Sequence, residues 1–267
     1  MAIDVHVHTR GGEKGKEILK AMDEVGLERV VLFGVPPHRR EGEIPKDAHK
    51  QSIDEIAGVV AADSDRLIGF AWIEPTLSDA VEGIDYALGE KSLHGIKMIP
   101  NKWYPADERA QACFGKIEEH GKPMLFHTGI LWGRSDTSQY CRPAFFEIML
   151  HYPGIRFAMA HMSWPWTDEC LAVNGKFKEN QEGEWTSYVD ITSGAPRIWK
   201  VDALRKALAY LGDTHLIYGS DCRLPEGADY AALRLREDEE MLREAGASSE
   251  TVERVLTSNA LRWLGIG

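Results

Sequence analysis

Histidine and aspartate are spaced along this chain in a way that suits a divalent cation. His6 and His8 stand two apart in the apolar run Ile3–His8. Side chains on a strand alternate, so both would point to one side of it. His127 closes another such run, His161 closes a third, and Asp221 directly follows a fourth. Imidazole nitrogen and carboxylate oxygen are ligands of zinc-type chemistry, and an ion held by them acidifies water or polarises a carbonyl. A single histidine at a strand end is usually an ordinary hydrogen-bonded residue. Several of them with an aspartate form a candidate metal site. The other six of the ten histidines carry no such expectation. His120 and His151 end helical stretches, His94 and His215 precede strands, and His38 and His49 lie in or beside a polar loop.

Convergence needs a fold, and the hydrophobic pattern supplies one. Strands are predicted over Ile3–His8, Arg29–Gly34, Leu67–Ile73, Gly95–Ile99, Pro123–His127, Ile155–His161, Tyr188–Thr192 and Thr214–Ser220. Helical stripes separate them: Lys16–Val25, Ser52–Ala62 with Ser52 and Glu55 as a capping box, a helix after Ser78, the stripe Ala110, Cys113, Phe114 and Ile117, a helix from Pro143, and Val201–Leu211. Gly26, Gly89, Gly121 and Gly212 stand where left-handed helix ends are expected. Trp164–Glu184 reads as an insertion or lid after the sixth strand. Eight β-then-α units predict an α/β fold, a (β/α)8 TIM barrel, as one domain over residues 1–267. An open doubly wound sheet is the alternative, but its G-x-G-x-x-G fingerprint and the P-loop are missing. In a parallel barrel all strand C-termini share one face, which would gather His6, His8, His127, His161 and Asp221.

The same face collects aromatic and basic residues. Trp72, Trp103, Trp132, Trp164, Trp166 and Trp199 follow predicted strands three to seven, six of the eight tryptophans. They suggest an apolar wall. Arg10, Arg134, Arg197 and Arg223 follow strands one, five, seven and eight, and Glu74 could pair with one of them. Lys97 lies on strand four. Cations at one mouth suggest an anionic substrate, a carboxylate above all. The expected substrate contacts are Lys97, Trp103, Trp132, Arg134, Trp164, Arg197 and Arg223.

Composition removes other classes. The 267 residues are 43% apolar and 27% charged, and 31 Lys and Arg stand against 42 Asp and Glu for a net charge of −11. That argues against nucleic acid and anionic membrane surfaces. No apolar run approaches the ~20 residues of a membrane span. Four scattered cysteines without a CxxC pair suit reduced thiols, and the start lacks a leader's pattern, so a cytoplasmic protein is expected. The acidic stretch Glu237–Glu253 reads as solvated helices. The oligomeric state stays open, a homo-oligomer included.

Val5-His6-Val7-His8, Phe126-His127-Thr128-Gly129, Ala160-His161 and Tyr218-Gly219-Ser220-Asp221 resemble the motifs of the amidohydrolase superfamily. The order and spacing match along the whole chain. The nearest group is the amidohydrolase-related family that includes aminocarboxymuconate-semialdehyde decarboxylase-like and lactonase-like enzymes. The resemblance implies His6, His8 and Asp221 as core ligands and His127 as a ligand or near-ligand. It implies His161 as a ligand or a group polarising substrate and water. Some relatives carbamylate a strand-four lysine to bridge two metals; here one metal is expected, zinc first, with Mn, Fe or Co as alternatives. The family contains hydrolases, decarboxylases and hydratases. The expected activity is metal-dependent hydrolysis of a small carboxylate-bearing lactone, ester or amide, with Asp221 as general base and His161 stabilising the oxyanion. The alternative is non-oxidative decarboxylation, or hydration, of an aromatic or dienoic acid. Met162-Ser163-Trp164-Pro165-Trp166 departs from relatives that often carry a glycine-rich turn there.

Overall fold

The computed structural model describes residues 1–37, 46–133, 136–192 and 194–266. Among the described residues nine strands form one parallel sheet: β1 (Ala2–His8), β2 (Leu27–Phe33), β3 (Leu67–Trp72), β4 (Gly95–Met98), β5 (Met124–Phe126), β6 (Phe157–Met159), β7 (Ser187–Asp190), β8 (Leu216–Ile217) and β9 (Cys222–Arg223). Their order is β8-β7-β6-β5-β4-β3-β2-β1-β9, so every sequential pair from β1 to β8 is adjacent. The chain leaving β8 returns to β1. Val5 donates its N–H to the Tyr218 carbonyl (3.0 Å), Asp221 donates to that of His6 (2.9 Å), and β9 pairs with Val7 and His8. The eight expected strands are all present within a few residues of their predicted ends, in a TIM-barrel-type α/β fold. The ninth, two residues long, is a consequence of closure and has no pattern of its own.

Helices α1 (Gly15–Val25), α2 (Ala48–Val60), α3 (Ala80–Asp85), α4 (Glu108–His120), α5 (Thr167–Asn180) and α6 (Arg197–Tyr210) lie between strands, and α7 (Ala228–Glu244), α8 (Ser249–Leu256) and α9 (Ser258–Leu264) follow the last. A 3-10 stretch, Pro143–His151, takes the place of a helix between β5 and β6. Local chemistry explains α4 well. Asp107 caps it by accepting from the Arg109 N–H, Ala110, Cys113, Phe114 and Ile117 are its buried face, and Gly121 ends it at φ 61°. Losing such a cap costs about 1 kcal/mol.

Three local expectations fail. Ser52 does not cap a helix: α2 starts four residues earlier, and the Ser52 hydroxyl, now mid-helix, bonds the Val35 carbonyl. Gly89 lies inside a π-helical turn, Tyr86–Glu90, rather than at a left-handed end. The supposed lid Trp164–Glu184 is mostly α5, the regular crossover of the sixth unit, with Cys170, Leu171, Val173 and Phe177 buried. Its lysines and its acids are exposed or half-exposed, and buried Asn174 and Gly175 interrupt the apolar face, which hid the helical stripe.

Two apolar layers hold the barrel. Inside it, Ile3, Val5, Val31, Phe33, Phe70, Leu125 and Ile217 pack together, and Trp263 and Leu264 of α9 join them as a plug. Outside, Val7, Leu32, Met98, Phe126 and Val189 meet the helices. The two sets alternate along the strands, as a pleat requires. β1 breaks the alternation: its pairing with β2 shifts between Asp4 and Val7.

Candidate active site

The structure brings His6, His8 and Asp221 together. One donor atom from each lies within 4.8 Å of the others, the one such group of three among the described residues. His8 Nε2 is 3.1 Å from Asp221 Oδ1, and His6 Nε2 is 3.5 Å from the same oxygen. The His161 ring centroid is 5.1 Å from that of His6, and the His127 ring is 4.9 Å from His161. Both rings line the pocket beside the group of three, outside that tight cluster.

Backbone geometry sets this arrangement. Asp221 (φ 60°) and the run His161, Met162 and Ser163 (φ 60°, 47° and 56°) are left-handed, a region costing non-glycine residues roughly 1–2 kcal/mol each. Such a run is where a glycine-rich turn would be easiest. Here a lattice of bonds holds it. Thr128 donates its hydroxyl to the Ala160 carbonyl (2.6 Å), Ser163 donates to Thr128 Oγ1 (2.8 Å), and Ile130 N–H reaches the Trp164 carbonyl (2.9 Å). Gly219 is required for a different reason. A Cβ there would meet His6 Cβ at 2.6 Å, because the segment after β8 runs close beside β1.

Two buried acids support the group. Asp190, at the end of β7, accepts from His6 Nδ1 at 2.6 Å and is itself bonded by the backbone N–H (2.8 Å) and hydroxyl of Thr192. That bond fixes the His6 tautomer and leaves Nε2 with its lone pair facing Asp221. Asp4 Oδ1 accepts from the N–H of His6 (3.0 Å) and of Ser220 (2.9 Å), tying the two ligand-bearing segments together. Sequence reasoning missed both. The available signal was an acid inside an apolar strand, as in Tyr188-Val189-Asp190-Ile191.

Electrostatics follow from burial. It pushes the imidazoles of His6, His8 and His127 down, with Lys97 and neighbouring rings adding to the effect. Burial also drives the Lys97 ammonium down to about 7. It would raise the Asp221 carboxyl, but the His8 bond and the surrounding imidazoles outweigh it and hold that group well below the usual carboxylate range. Neutral imidazoles beside an ionised carboxylate are the protonation state that a divalent cation takes. Among the described residues the buried His127 Nε2 has no hydrogen-bond partner, which is costly unless something binds it. These residues therefore fit a divalent metal. Lys97 Nζ sits 3.5 Å from His6 Nε2 and 4.5 Å over the Phe33 ring.

His8 and Asp221 of the cluster line a pocket of about 570 Å³, with His6 buried behind them. Lys97, Trp132, Trp164 and Arg223 line it, as do Arg10 and Trp72. Two expected contacts do not. Trp103 is 2% exposed and belongs to the core between helices and sheet, where an indole gains more from packing than at the mouth. Arg197 is paired with Glu244 at 2.6 Å, between α6 and α7. Arg134 lies outside the described residues. Trp166 lies under the Arg142 guanidinium (5.5 Å), and Trp199 is on the rim. His49 lies beside the polar stretch, at the start of α2, and is buried there, bonded by Nδ1 to Asp79 (2.6 Å) while its Nε2 accepts the Glu74 N–H (2.9 Å); His38 lies outside the described residues. Glu74 in turn accepts from the Thr76 hydroxyl (2.8 Å).

Barrel, motif order and site geometry fit a class of metal-dependent enzymes. Residues 3–266 match the Amidohydrolase family, and the chain belongs to it. No curated protein matches it by sequence. Solved structures share its fold. One is 2,6-dihydroxybenzoate decarboxylase from Rhizobium, with TM-score 0.66, 14% identity, and 99% of this chain and 98% of that one covered. Another is a probable 2-pyrone-4,6-dicarboxylic acid hydrolase from Acinetobacter baumannii, with TM-score 0.67, 13% identity and 99% of each chain covered. A third is 5-carboxyvanillate decarboxylase from Novosphingobium aromaticivorans with bound manganese, with TM-score 0.66, 15% identity, and 99% and 96% coverage. Among the described residues no helix is long and apolar enough to cross a membrane.

Proposed function

We propose that this protein is a single-domain, metal-dependent hydrolase acting on a small carboxylate-bearing lactone, ester or amide. The carrying observation is the convergence of His6, His8 and Asp221 within 4.8 Å, with His8 and Asp221 lining an open pocket. These three residues would hold one divalent metal, zinc first, with His127 and His161 beside them. What such an ion supplies is Lewis acidity, which polarises a carbonyl and acidifies water. The chain supplies the rest. Asp221, with a side chain 35% exposed, takes the proton of the attacking water and returns it to the leaving group. His161 steadies the negative charge that develops on the carbonyl oxygen. Lys97, Arg10 and Arg223 make the mouth attractive to an anion in an otherwise acidic protein. Four buried free thiols suit a cytoplasmic setting.

One observation favours a second reading, non-oxidative decarboxylation. Trp132 and Trp164 are parallel within 15°, a wall suited to a planar acid, and two of the similar structures are decarboxylases of such acids. Asp221 would then deliver a proton to the ring carbon while Arg223 held the leaving carboxylate.

Metal-loaded protein assayed against carboxylated lactones and against hydroxybenzoates separates the two. Acid release from a lactone is expected. Carbon dioxide release with every lactone left intact selects the second reading. Asp221→Asn should keep most of its metal by elemental analysis and lose about 10²–10⁴-fold in kcat. Full activity in that variant rejects both schemes.

A further inference from the structure

The pocket has two unlike walls. β1 and β9 are neighbours in the sheet, and β5 and β6 lie across the barrel from them. Arg10 and Arg223, after β1 and on β9, line the first side, whereas Trp132 and Trp164, after β5 and β6, line the facing one. The tryptophans continue outward. Trp132 stacks on Trp164 at 6.0 Å between centroids, and Trp199 of α6 lies 6.1 Å from Trp164 at 51°. Trp132 is 76% exposed and Trp199 57%, next to Ile198 at 76%. A row of three indoles, the outer two exposed and Trp164 between them half-buried, marks a place where something apolar binds. The row is continuous with the pocket, and about 570 Å³ lies in the size range that takes ligands larger than a single ring. The Trp132–Trp164 spacing leaves no slot between these rings, so the row acts as a platform against which a flat group lies.

We propose that Trp132, Trp164 and Trp199 form an outer subsite for a second planar, apolar ring of the substrate, whose anionic head lies toward Arg223. The substrate is thereby a two-part molecule. The anionic head rests on the reading given under the proposed function; the subsite itself does not.

Calorimetric titration of the metal-loaded protein with benzoate and 4-(benzyloxy)benzoate tests this without turnover. The two-ring acid should bind about tenfold tighter, the effect of burying one further ring. Trp199→Ala should remove most of that ratio and leave benzoate affinity unchanged. Equal affinity of the two acids, or a ratio that survives in both Trp199→Ala and Trp132→Ala, overturns the subsite. The matching neutral alcohols separate the two ideas. A ring preference kept by alcohols while the acids fail to bind rejects the anionic head alone; no binding of either two-ring probe rejects the subsite. A lower solution mass of Trp199→Ala with an unchanged ring preference assigns the row to a contact between two copies of the chain, and also overturns the proposal.

Discussion

His6 is held on three sides. Its backbone N–H is bonded by Asp4, its Nδ1 by Asp190, and its Nε2 is left toward Asp221 and Lys97. A ligand oriented this way loses little freedom when a cation binds, because a buried carboxylate already fixes the tautomer. Asp190→Asn should therefore weaken divalent metal binding by about 10–100-fold while the far-ultraviolet circular dichroism stays native. Competition with a metallochromic chelator measures it, and unchanged affinity would remove Asp190 from the metal's support. Sequence made the first histidine pair legible, because two residues two apart share a strand face whatever surrounds them. Asp190 was legible only as an acid inside an apolar strand: what it does there carries no signal until the partner, 184 residues away, is in place.

Helices α6 and α7 show the same limit one level up. The acidic character of Glu237–Glu253 suggested a solvated face, yet Asp238 is fully buried and meets the equally buried Lys200 at 2.5 Å. Removing one member leaves an uncompensated charge, whereas replacing both can be neutral. Lys200→Met should cost about 3–5 kcal/mol in urea unfolding, and Lys200→Met with Asp238→Leu should restore most of it. A double variant as unstable as the single one would contradict this. On the opposite rim from the pocket, His215 precedes β8 and stacks on Trp185 at 3.5 Å between centroids. Burial lowers its pKa from 6.5 to about 4. A base whose folded pKa is depressed binds its proton more readily when unfolded. Its contribution is therefore intact above pH 6.5 and is lost as pH falls toward 4, at most about 3 kcal/mol. Urea midpoints from pH 7 to 4 should fall less steeply in His215→Gln than in the parent. Parallel slopes would place the acid sensitivity elsewhere.

At the scale of the molecule, a ligand that binds only the closed barrel stabilises it. A divalent cation at about 100 times its Kd should add roughly 2.7 kcal/mol, seen as a higher Tm that chelator reverses. Asp221→Ala should shrink that shift; an equal shift in this variant would move the metal elsewhere. The sequence by itself determined the alternation of strands and helices, the buried stripe of α4, the barrel class and the face on which the ligand-type residues fall. These depend on spacing between near neighbours and on the shared direction of parallel strands. Only the tertiary structure decided which residues meet. It drew His6, His8 and Asp221 into one cluster, sent Trp103 into the core, paired Arg197 with Glu244 and set Asp190 behind His6. Those outcomes depend on closure of β8 onto β1 and on left-handed turns at His161 and Asp221, and no local pattern in the chain encodes the distance between two strand ends.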